Sequence, residues 1–176
     1  MTAEDRTDLL AKLEEGRGAL LDSVTGMSGA EAAAAPAGGW SAIGIVEHVA
    51  LAEGLMLGLI RGAQPAGGEA APGRELRFFA GGRSRSRKFQ APQASHPSGE
   101  CATLEAALAK FAAARAATVA FVEACEHDPR LCPVTHPLLG ACTAMETLYV
   151  VASHPYRHAE QIRELRQAAR EPSREC

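Results

Sequence analysis

Aromatic residues are scarce in this chain, with one Trp, two Tyr and five Phe among 176 residues. Strands favour aromatic and β-branched side chains, so a β-sandwich or barrel is not expected. No CxxC spacing occurs, and the five cysteines are odd in number. The opening stretch Met1–Asp8 is acidic and polar, unlike a secretory leader. Reduced thiols in a cytoplasmic protein are therefore expected. Positive charge is not in excess: 18 Lys and Arg face 21 Asp and Glu, for a net charge of −3. Nothing global points to nucleic acid or to an anionic membrane. No uninterrupted apolar run reaches the roughly 18 residues of a membrane span. No internal repeat, glycine-rich phosphate loop or Ser-His-Asp arrangement can be read.

Alanine is what the chain has in abundance, at 36 positions. It is the strongest helix former, and four helical stretches follow. The first spans about Glu4 to Met27, where Leu9, Leu13, Leu20, Val24 and Met27 keep one face apolar and Gly16 and Gly18 weaken the helix locally. A small-residue loop, Ser28 to Gly39, ends it. Ser41 is a good N-cap for the second helix, which carries Ile45, His48, Ala52, Leu55 and Leu59 on one stripe and stops near Gly62. Residues 63–102 hold Pro65, Pro72, Pro92 and Pro97, too many for a long helix. The third helix is expected from its N-cap Thr103 to Glu126, with Arg115 and Thr118 interrupting an apolar seam. The fourth opens on a capping box, Thr143 with Glu146, and runs to about Ala169. Residues 171–176 form a frayed tail. The expected fold is all-α: one domain, 1–176, a four-helix bundle with a long crossover between helices 2 and 3. Short links would make helices 1 and 2, and helices 3 and 4, antiparallel neighbours.

Of six histidines, His96, His127 and His136 fall in loops, and His48, His154 and His158 on inward helix faces. His154 and His158 are an i, i+4 pair, close enough on one face to share a metal, and His48 from another helix completes a triad. Three His ligands leave a coordination position open, as in a catalytic site. The alternative is that the three rings only fill the core, in a bundle that serves as an interaction module.

Three motifs carry a family resemblance. The first is Gly39-Trp40-Ser41 through Glu47-His48, followed by Glu53. The second is His136-Pro137-Leu138-Leu139-Gly140 leading to Thr143 and Glu146. The third is His154-Pro155-Tyr156-Arg157-His158-Ala159-Glu160-Gln161-Ile162. Together they resemble the DinB/YfiT-like family of metal-dependent four-helix bundles. The resemblance implies a divalent metal, zinc or nickel, held by His48, His154 and His158. It implies a hydrolase or thiol (S-)transferase acting on a small molecule, with a low-molecular-weight thiol as one partner, and a homodimer. A non-catalytic metal-binding or stress-associated protein is the alternative on the same scaffold. No catalytic residue is assigned. Pro155 follows a ligand position inside a helix, where a kink or a restart is expected.

Other side chains have plainer readings. Trp40 is expected as a core anchor more than a pocket wall, and Glu47 and Glu53 as solvated surface groups. Arg157 is placed in a salt bridge at the bundle edge, with Gln161 and Arg157 as anion contacts in the functional reading. Arg115 on the seam needs a buried partner or a substrate carboxylate. Cys132 and Cys142 read as small buried hydrophobes unless they lie near the metal. The basic run around Arg74, Arg77, Arg83, Arg85, Arg87 and Lys88 is expected to be solvated, with no nucleic acid bound.

Overall fold

A computed structural model describes residues 1–66, 73–86 and 89–170. Four long helices form the bundle: α1 (Ala3–Val24), α3 (Ala42–Gly62), α5 (Leu104–Ala124) and α6 (Ala144–Arg170). Two short helices, α2 (Gly29–Ala33) and α4 (Glu75–Arg83), and a two-stranded antiparallel hairpin, β1 (Pro133–His136) and β2 (Gly140–Thr143), fill the connections. Each expected cap is in place. Ser41 Oγ accepts from the Gly44 amide at 3.2 Å and Thr103 Oγ1 from the Ala106 amide at 3.1 Å. Thr143 and Glu146 bond reciprocally at 2.9 and 3.1 Å, which fixes where α6 begins.

The neighbour relations differ from those the short links suggested. α1 packs mainly on α6, and α3 mainly on α5, while α1 and α3 lie diagonally across the bundle. Side-chain partners give the directions. Asp8 meets Tyr149, Glu15 meets Tyr156, and Arg166 reaches Ser23, so α1 and α6 run parallel. Glu47 with Lys110 and Glu53 with Arg115 make α3 and α5 parallel as well. Arg6 bonds to the carbonyls of Val122 and Cys125 while Arg115 bonds to Leu13, so α1 and α5 are antiparallel. The link from Thr25 to Ser41 is long enough to cross the diagonal, and it spends its middle on α2. That short helix corrects the plain loop expected there.

The crossover is also more ordered than four prolines suggested. α4 lies along α6, and at Gly82 an added Cβ would stand 2.0 Å from Ser153 Oγ. Arg74, its N-cap, gives no side-chain cap, so packing on α6 rather than local sequence holds this helix. Gly16 is another close approach and not a weak point. It is buried in α1, and a Cβ there would sit 2.4 Å from the Ala152 carbonyl oxygen of α6. α6 runs unbroken through Pro155, so the expected restart does not occur. The frayed tail, 171–176, falls outside the described residues.

The buried face of α3 is turned relative to the expected stripe. Val46, Val49, Glu53, Met56 and Ile60 are buried, whereas Leu55 and Leu59 are 44% and 40% exposed. By length and a mean hydropathy of 1.7, α3 could cross a membrane, but 61% of that window is buried within the bundle. Two apolar clusters make the core. One joins Leu9 and Leu13 to Met145, Leu148 and Tyr149; the other joins Leu20 and Val46 to Phe111 and Ile162.

Candidate metal centre

His48, His154 and His158 come together as the sequence spacing suggested. Each offers a ring nitrogen, and the three nitrogens lie within 4.8 Å of one another. The i, i+4 spacing on α6 brings the His154 and His158 rings to 4.4 Å between centroids, with Nε2 to Nε2 at 3.0 Å. α3 supplies His48, whose ring lies 5.2 and 4.8 Å from the other two.

The outer nitrogens are held by acceptors. His48 Nδ1 donates to the Ser95 carbonyl at 2.7 Å, from the 3₁₀ turn Gln93–Ser95 in the crossover. His158 Nδ1 donates to Gln161 Oε1 at 2.9 Å. A proton fixed on Nδ1 leaves the Nε2 lone pair free for a cation, the usual way ligand imidazoles are oriented. His154 Nδ1 is buried and has no partner among the described residues. Burial and mutual repulsion push His154 and His158 well below the usual histidine range, and burial also lowers His48. All three therefore stay neutral, the form that binds metal. The donor set fits a divalent cation.

The cluster lies in the wall of an open cleft of about 970 Å³. Trp40 packs its ring 4.8 Å from His48 and 5.6 Å from His96, so it walls the cleft as well as joining the core. Two loop histidines that have no assigned role in the sequence, His96 and His136, also line it. Their position depends on the crossover and on the hairpin, which no periodicity reveals. His127 stays at the other end of α5, beside Cys125 and the N-terminal amine.

Several side chains are placed differently from expectation. Glu47 and Glu53 are each only 1% exposed. Glu47 accepts from Ser98 Oγ at 2.6 Å and from Lys110 at 3.4 Å. Glu53 pairs with Arg115 at 2.9 Å, and Arg115 also bonds to the Leu13 carbonyl at 2.8 Å. Arg115 therefore meets its carboxylate inside the protein, and it is not a wall of the cleft. Arg157 lies in the cleft wall. Its guanidinium donates to the Ser84 carbonyl and lies over the Phe89 ring. Gln161 holds His158 and is approached by Arg85, which fixes it as an orienting group. Cys132 and Cys142 are buried in the apolar core, away from the histidines. Within the basic run, Arg74 pairs with Glu146 and Arg85 with Glu164, while residues 87–88 lie outside the described ones.

The DinB superfamily model matches residues 12–162. The chain belongs to the DinB superfamily. Among solved structures, this DinB chain is similar to YfiT from Bacillus subtilis, described as a probable metal-dependent hydrolase with an unusual four-helix bundle topology. The two are 17% identical, with a TM-score of 0.58 over 96% of this chain and 90% of that one. The likeness establishes a shared four-helix bundle. No match was found among curated proteins.

Proposed function

We propose that this DinB chain is a metal-dependent hydrolase of a small molecule, with His48, His154 and His158 as the ligands of one divalent ion. The observation that carries the reading is a neutral three-imidazole cluster, oriented from behind, in the wall of an open cleft. A closed structural site uses four protein ligands, whereas a catalytic one leaves room for substrate or water. The ion would supply Lewis-acid polarisation and a nucleophile at neutral pH. The chain's own residues do the rest. Ser95 and Gln161 hold two rings in one tautomer, Trp40 shields the His48 face, and the apolar wall of Leu55 and Leu59 receives the substrate's body. The likeness to YfiT favours hydrolysis. Thiol transfer, with a low-molecular-weight thiol, is the second reaction that the family resemblance implies, and it would use the same cleft. Zinc or nickel, a homodimer and a cytoplasmic setting belong to the same proposal.

Metal analysis of untagged protein after reconstitution tests the reading. One zinc or nickel per chain is expected, lost in His48→Ala, His154→Ala and His158→Ala. A chain that takes up no metal, or three variants that all retain it, would overturn the assignment. Metal-dependent turnover of an ester and amide panel, run against thiol-plus-electrophile pairs, separates hydrolysis from transfer. Light scattering on the eluted protein tests the dimer.

A further inference from the structure

We propose that the cleft binds an oxyanion carried on an apolar body, with the Nε2–H of His136 and the guanidinium of Arg157 as its donors. The proposal names a substrate class for the site above and rests on that cleft being where substrate binds.

The first argument is charge. Among the described residues, the lining holds four arginines, two of them paired with glutamates behind it (Arg74 with Glu146, Arg85 with Glu164), and no Asp, Glu or Lys. Arginine without a carboxylate in the lining favours an anionic occupant over a neutral one. Arg85 and Arg157 both lie near enough for their charge to be felt at His158. A guanidinium presents a planar fork that matches carboxylate and phosphate oxygens. Leu55, Leu59 and Phe78 supply an apolar face for the rest of the molecule.

The second argument is the tautomer of His136. The residue ends β1 and is 7% exposed. Its Nδ1 accepts from the amides of Leu138 at 3.1 Å and Leu139 at 3.3 Å, inside the hairpin turn. A nitrogen that accepts two amides cannot carry a proton. The neutral ring therefore bears its hydrogen on Nε2, and burial favours the neutral ring. The one polar contact left for this ring to offer an occupant of the cleft is a donor. It suits an oxygen acceptor and makes His136 neither a base nor a fourth ligand.

The test uses metal-free protein, so it does not depend on the metal assignment. The probes are 3-phenylpropionate, phenyl phosphate and the neutral 3-phenylpropionamide, titrated by calorimetry. At least one anion should bind about tenfold more tightly than the amide, which is about 1.4 kcal/mol. The tighter anion identifies the head group. His136→Ala and Arg157→Gln should each lower that preference at least about threefold. In ¹⁵N-histidine spectra of the unaltered protein, His136 should show an Nε2–H ring whose signal moves with the anion and not with the amide. That spectrum decides the matter if His136→Ala does not fold. The proposal fails if the amide binds as well as both anions, if His136 carries its proton on Nδ1, or if both variants keep the full preference. Metal uptake with no anion preference would overturn this inference and leave the proposed function standing. Anion preference in a chain that never takes metal would do the reverse.

Discussion

Two polar clusters interrupt the apolar bundle, and α3 contributes to both. His48 faces the cleft with His154 and His158. Five residues later, Glu53 faces Arg115 in the bundle interior. The Glu53–Arg115 pair is closed in charge: opposite charges meet at 2.9 Å and the Leu13 carbonyl takes a second guanidinium donor, although Glu53 Oε1 and Arg115 Nε have no hydrogen-bond partner among the described residues. The histidine cluster is open: three like rings converge on one point, two are held from behind, and the cleft they line holds no carboxylate among the described residues. Charge complementarity inside the protein marks a structural pair. Like groups converging beside a cavity mark a binding site. The two clusters therefore predict opposite responses to mutation.

The largest effect is expected at the closed pair. Arg115→Ala leaves a buried carboxylate alone and should cost about 3–5 kcal/mol. Urea unfolding would measure it, and the double change Glu53→Leu with Arg115→Met should recover most of the loss. If Arg115→Ala is as mild as a surface change, the pair is not the closed unit described. Acid comes next. Burial holds the folded pKa of His48, His154 and His158 below the unfolded value of about 6.5. The unfolded chain then binds more protons below that pH, so the metal-free protein should lose stability progressively as pH falls from about 6.5. Flat melting temperatures from pH 7 to 5 would contradict this. Smaller still is His154→Leu. It removes a buried Nδ1 that has no partner among the described residues but also the Nε2 bond to His158, so the metal-free protein should stay within about 1 kcal/mol while metal uptake falls. A loss well beyond that would mean that the open cluster is holding the fold. The smallest change is Ser98→Ala, which removes one bond to Glu47 and should cost about 1 kcal/mol with no change in bound metal. Such a result would put Glu47 with the closed group although it adjoins His48.

Local signals were legible in the sequence, and relations between distant segments were not. Ser41, Thr103 and the Thr143–Glu146 box act within one turn, so they read correctly. The histidine triad was legible because two members share a helix face and the third sat on an inward stripe. The facing of α3 was misjudged because the helix is apolar nearly all round. A stripe through Leu55 and Leu59 looked as good as the one through Glu53 and Met56, so Glu53 was read as solvated. α4 escaped because it has no side-chain cap and carries Gly81 and Gly82; only α6 makes it a helix. His136 stood in the sequence only as the start of a motif, without a role, because a loop histidine has no periodicity and its setting depends on a hairpin turn. Gly16 read as a weakness because sequence alone does not show that Ala152 passes beneath it.

The parallel packing of α1 against α6 has a consequence for how the chain comes to be folded. Of the four bundle helices, α1 leaves the ribosome before the others and must wait for α6, its main neighbour. Contacts between such distant segments slow folding relative to an up-and-down bundle of the same size. Until α6 is made, the apolar faces of α1 and α3 have no complete cover, and partly made chains are prone to stick to one another. Two of the three cluster histidines arrive on α6, so the cluster can form only when that helix closes the bundle.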